Sequence, residues 1–152
     1  MKRSLATLSL VCLVLLSARA HGAARTTNAL AFGIELCPQF ICGSAIFTGV
    51  LSGEVAGIQT SQGAFTVLVN HDDLPTVTLE SAAITGGSFQ LRAGARTFRG
   101  SILGGTLTLA APGEFAVQML LVSPTAGPLV FQGTLSHNTF PPTISGHIFS
   151  AP

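Results

Sequence analysis

Four histidines, three arginines on one short segment and a closely spaced cysteine pair carry most of the chemistry open to this sequence. Arg92, Arg96 and Arg99 surround Ala93-Gly94-Ala95. Guanidinium groups hold carboxylates and other anions through charge-assisted hydrogen bonds, so this hairpin is a candidate anion patch. The same arginines also suit a solvated outer face that discourages edge pairing. Asn70-His71-Asp72-Asp73 offers oxygen ligands but lacks the ligand rhythm of a calcium loop, and turns collect Asn and Asp for conformational reasons alone. His137 and His147 flank the turn around Phe140-Pro141-Pro142. Strand alternation puts His137 on the face of Phe131 and Leu135 but His147 on the face opposite Ile144 and Ile148, so the two are not expected to share one ion.

The remaining histidine, His21, follows a segment that must be set aside before the fold is considered. Lys2 and Arg3 precede an apolar run from Leu5 to Leu16, which ends in Ser17-Ala18-Arg19-Ala20. The run is too short to span a membrane and the small residues at 18 and 20 suit a signal peptidase, so residues 1–20 read as a cleaved signal peptide and the protein as secreted or periplasmic. Cleavage after Ala20, rather than after Ala24, makes His21 the amino terminus. A terminal histidine can give both its amine and its imidazole to one metal, and a second imidazole completes a T-shaped copper site. In starting His21-Gly22 the chain resembles lytic polysaccharide monooxygenases and small periplasmic copper carriers. The resemblance covers two residues and implies copper, with His71 or His137 as the second ligand.

Loss of the signal leaves four arginines, no lysine and six acidic residues, a net charge of −2. That removes the electrostatic footprint needed for nucleic acid or an anionic lipid surface. Cys37 and Cys42 remain, and an even count in an exported chain argues for a disulfide. Four residues separate them where redox-active pairs usually have two. A structural staple is therefore expected, contributing roughly 2 kcal/mol.

Something must position these groups, and the pattern from Ala45 onward says strands. Apolar and polar residues alternate over short runs such as Phe65–Val69, Val77–Leu79, Phe89–Leu91, Leu107–Leu109 and Phe115–Val122. Glycine-rich punctuation at Ser52-Gly53, Gly86-Gly87, Ala93-Gly94-Ala95, Gly104-Gly105 and Pro112-Gly113 is too short for parallel crossovers, so the runs form an antiparallel meander. Gly49, Gly100, Gly133 and Gly146 each share a face with two large apolar residues, which points to sharp bending or the close approach of another layer.

The fold expected is all-β: a small β-barrel or strongly coiled β-sandwich over residues 45–152, preceded by an N-terminal segment over 21–44 that carries the Cys37–Cys42 loop. A membrane barrel is disfavoured, because the chain has no Trp or Tyr for an interfacial girdle and the strand runs look short. No second apolar stretch is long enough for a transmembrane helix. No Gly-x-Ser-x-Gly elbow, phosphate loop or paired carboxylates stand out, so the chain reads as a non-catalytic exported protein. It would bind an apolar small molecule inside the barrel or serve as a surface component, with copper transport or oxidation through His21 as the alternative.

Overall fold

A strand whose alternate residues are apolar can bury one face only by laying it against others, and a sheet that coils far enough does so by closing on itself. In the computed structural model, which describes residues 25–36, 44–72 and 80–152, eight antiparallel strands form a closed barrel in simple sequence order. They are β1 (Asn28–Glu35), β2 (Ser44–Val55), β3 (Ile58–His71), β4 (Ser81–Ala93), β5 (Arg96–Ala111), β6 (Glu114–Ser123), β7 (Gly127–Ser136) and β8 (Thr143–Ser150). Each pairs with the next, and β1 pairs with β8, from Asn28 opposite Phe149 to Ile34 opposite Thr143. The barrel alternative is therefore the correct one, and the sandwich is set aside.

Three expectations need correction. The barrel starts at Asn28, inside the segment 21–44 that was separated from the β domain, and β1 is the strand that closes it. Ser52-Gly53, Gly86-Gly87 and Gly104-Gly105 are not turns but lie within β2, β4 and β5. Paired glycines suit a turn locally, yet here they coincide with register shifts that kink long strands around the barrel, as between Leu51 and Gly53 and between Ile102 and Gly104. The strands are also not short: β2 to β7 run from 10 to 16 residues. The turns at Ala56-Gly57, Gly94-Ala95 and Pro112-Gly113 are tight, and Ala56 and Gly57 both have positive φ, as a two-residue hairpin turn requires.

The inward glycines work as anticipated from their shared face. Gly133 of β7 stands opposite Gly146 of β8, and a Cβ on either would lie within 2.7 Å of the Phe131 ring. Gly33 and Gly49 oppose each other in the same way, with the Phe65 ring tip against Gly33. The missing side chains let neighbouring backbones coil together, and a phenylalanine ring fills the space left above each pair.

The interior is filled. Phe47, Phe65, Phe89, Phe131, Leu51, Leu91, Leu129, Met119 and Ile148 are among the buried side chains pointing inward. A hollow among the core phenylalanines has a volume of about 20 Å³ and is lined by apolar side chains, among them Phe47, Phe65, Phe89 and Phe131. Below, Thr27 plugs the end at which the chain enters: its hydroxyl accepts the Ala56 N–H at 2.9 Å, and its own N–H donates to Ser150 Oγ at 2.8 Å.

Candidate functional site

Strand alternation carries β1 inward at Ala29, Ala31, Gly33 and finally Glu35, which therefore ends the strand facing the barrel interior. Its N–H donates to the Pro142 carbonyl at 2.9 Å, fixing it beside the chain that enters β8. The same rim receives the end of β7. There the N–H of His137 donates to the Gly113 carbonyl at 2.7 Å, and its ring meets Phe115 edge-on at 5.5 Å. Nε2 of His137 lies 3.4 Å from Oε2 of Glu35, with side chains only 17% and 10% exposed.

Burial is the main influence on the acidity of this pair. It pushes the Glu35 carboxyl up from 4.5, against the opposing attraction of His71, and it pushes the His137 imidazole down from 6.5, helped by repulsion from His71. Both shifts favour uncharged forms. Burial thus works against an ion pair here, and the contact sets a carboxyl beside an imidazole at the rim. Phe115 and Phe47 provide an apolar setting beneath them.

His71 ends β3 at this rim, and its Nδ1 lies 2.5 Å from the Asp72 carbonyl oxygen. The rim thus holds two of the three proposed metal ligands, His71 acting on His137 only through its charge, and the residue in contact with His137 is Glu35, which sequence reasoning left among scattered carboxylates. The usable signal was the small, alternate series Ala29, Ala31, Gly33, which extends to Glu35. Among the described residues, no group of three or more His, Cys, Asp or Glu is placed to hold a metal ion. His21 lies outside the described residues. His147 points outward, opposite Gln132 and Leu30, and its Nε2 meets the Asn28 side-chain oxygen.

The arginine hairpin lies at the chain-entry end. Arg92 is opposite Thr97, and Arg99 opposite Gln90, whose side-chain oxygen accepts from Arg99 Nε at 2.9 Å. Arg92 and Arg99 are therefore diagonal neighbours on the outer surface, and all three arginines are exposed. Cys37, Cys42 and the run Val77–Leu79 lie outside the described residues.

Compared with family models, curated proteins and solved structures, the chain matches none.

Proposed function

We propose that this is an exported, non-catalytic barrel that serves a structural or surface role and works through its outer face. The observation that carries this reading is the filled interior: an eight-stranded barrel either packs itself or holds one small ligand, and a hollow of about 20 Å³ has room for little more than a water molecule. The apolar-ligand reading needed space within the barrel, and the phenylalanines occupy it. Export rests on the charged start and apolar run of residues 1–20.

The sidedness supports the same reading. Membrane barrels turn apolar residues to lipid and polar ones to the lumen. Here the lumen is apolar, whereas Thr66, Arg92, Thr106, Gln118, Gln132 and Ser145 face out. Titration with a fluorescent fatty acid tests the proposal: no saturable uptake is expected, and uptake of one probe per barrel would return the protein to the ligand carriers.

A further inference from the structure

The net charge of −2 beyond residue 20 hides a segregation. Arg25 precedes β1, and Arg92, Arg96 and Arg99 lie on the β4–β5 hairpin, so all four arginines of this part stand at the chain-entry end. Of the five acidic residues described, Glu35, Asp72, Glu80 and Glu114 sit at the opposite rim. Glu80, just before β4, and Arg92, near its end, are a strand length apart, beyond the ~8 Å over which exposed charges act through physiological salt. The fifth, Glu54, belongs to β2, with β3 between it and the hairpin, and it accepts hydrogen bonds from Thr26 and Gln59. Among the described residues, no arginine is paired with a carboxylate.

Exposed arginines on a sheet commonly guard an edge strand. Here β4 pairs with β3 and β5, and β5 with β4 and β6, so the closed barrel leaves this hairpin no edge to guard. Its inner face is fixed in the core by Phe89, Leu91 and Phe98. Its outer face is a strip of three cross-strand pairs: Ser88 opposite Ser101, Gln90 opposite Arg99, and Arg92 opposite Thr97. The strip runs about 13 Å along the strands, and its six residues include no apolar side chain and no acid. Arg99 is already oriented, because its Nε donates to Gln90 Oε1 at 2.9 Å and leaves the two terminal nitrogens for a planar acceptor. Arg92 is its diagonal neighbour, so the two guanidiniums can meet successive charges of one anionic chain.

A rigid row of guanidinium, hydroxyl and amide groups matches a polymer that carries both carboxylates and hydroxyls. We infer that this strip binds an acidic polysaccharide, with uronate carboxylates on Arg92 and Arg99 and sugar hydroxyls on Ser88, Gln90, Thr97 and Ser101. The planar fork of each guanidinium receives both oxygens of a carboxylate, which an ammonium cannot do. Arg96, exposed beside the turn, adds positive charge at the end of the strip. A membrane surface fits less well, since the strip has no apolar side chain to enter it. Single-stranded nucleic acid also fits less well, for want of an aromatic ring on which bases would stack. The site is exposed and held by few charges, so binding is modest and sensitive to salt. The inference rests on the outer-face role proposed above and names its partner.

Binding of the purified protein to immobilised polygalacturonate, with neutral dextran as the comparison, tests this. Polygalacturonate should be bound at about 50 mM salt and released towards about 500 mM, and dextran should not be bound. Arg92→Gln and Arg99→Gln should each weaken binding by about five-fold. Arg99→Lys, which keeps the charge but loses the fork, should fall between Arg99→Gln and the wild type. Arg25→Gln removes the same charge from the same end but off the strip, and should bind as the wild type does; circular dichroism checks that each variant is folded. Absence of binding at the lower salt overturns the inference, as does equal binding to dextran. A loss in Arg25→Gln as large as in Arg99→Gln overturns it by showing diffuse charge attraction, and so does oligothymidylate bound as tightly as polygalacturonate. None of these readouts depends on the fatty-acid titration, so failure here and failure of the filled-barrel reading are distinguishable.

Discussion

Glu35 and His137 stand 3.4 Å apart at the barrel rim, where burial favours the uncharged form of each. They come from strand ends on either side of β8, and neither has a sequence neighbour that announces the other. Their proximity makes a prediction about pH that the rest of this charge-poor chain does not obscure.

Because the fold holds the Glu35 proton more tightly than the unfolded chain, stability falls as pH rises from 4.5 through the raised value. For His137 the sign is opposite: the unfolded imidazole keeps a proton that the fold rejects, so stability falls as pH drops from 6.5 through the lowered value. Glu35→Gln should therefore gain on the wild type as pH rises from 4.5 and then level off. His137→Gln should lose the wild-type decline below 6.5. Urea midpoints measured from about pH 4 to pH 8 check both, and parallel curves for variants and wild type would contradict the burial of these groups.

Gly133→Ala should destabilise by about 1 to 3 kcal/mol, since the new Cβ would meet the Ser145 carbonyl, the Phe131 ring at 2.7 Å and the Gly146 backbone at 2.8 Å. Gly94→Ala is the comparison. Nothing lies within 4 Å of its Cβ position, so only its positive φ of 56° opposes the change, at about 1 to 2 kcal/mol. Thermal or urea unfolding measures both, and an unchanged midpoint for Gly133→Ala would contradict the crowding at that site.

Thr27→Val should cost about 1 to 3 kcal/mol by leaving the Ala56 N–H without its acceptor at a position only 3% exposed. Faster amide exchange at Ala56 would locate the loss, and an unchanged rate there would contradict it.

Phe131→Ala should cost about 3 to 5 kcal/mol, because its ring is 4% exposed and fills the space above a glycine pair. Phe32→Ala should stay within about 0.5 kcal/mol. Two phenylalanines of one barrel thus differ by which side of the sheet they occupy, and unfolding midpoints report the contrast.

The strands from Phe47 onward were legible because their large apolar residues alternate and face inward. β1 was not, because alternation there marks Leu30, Phe32 and Ile34 as the oily face, yet the interior has room beside Gly49 and Phe65 only for Ala29, Ala31 and Gly33. Gly86-Gly87 and Gly104-Gly105 misled for a related reason: a glycine pair looks the same at a turn and at a kink, and only closure of the barrel distinguishes them. His71 and His137 could be singled out by residue type, but Glu35 acquires its altered acidity from a rim assembled by separate strand ends. Arg92 and Arg99 were placed correctly on the outer surface, since turn and alternation are both local.

Everything above follows from closure of the sheet around a packed interior, and nuclear Overhauser contacts across the β1–β8 seam measure that closure directly. The account predicts cross-strand contacts pairing Ala29 with Ile148 and Ala31 with Gly146, together with methyl contacts from Ile144 and Ile148 to the core phenylalanine rings. A spectrum in which β1 contacts β2 but not β8 would contradict it.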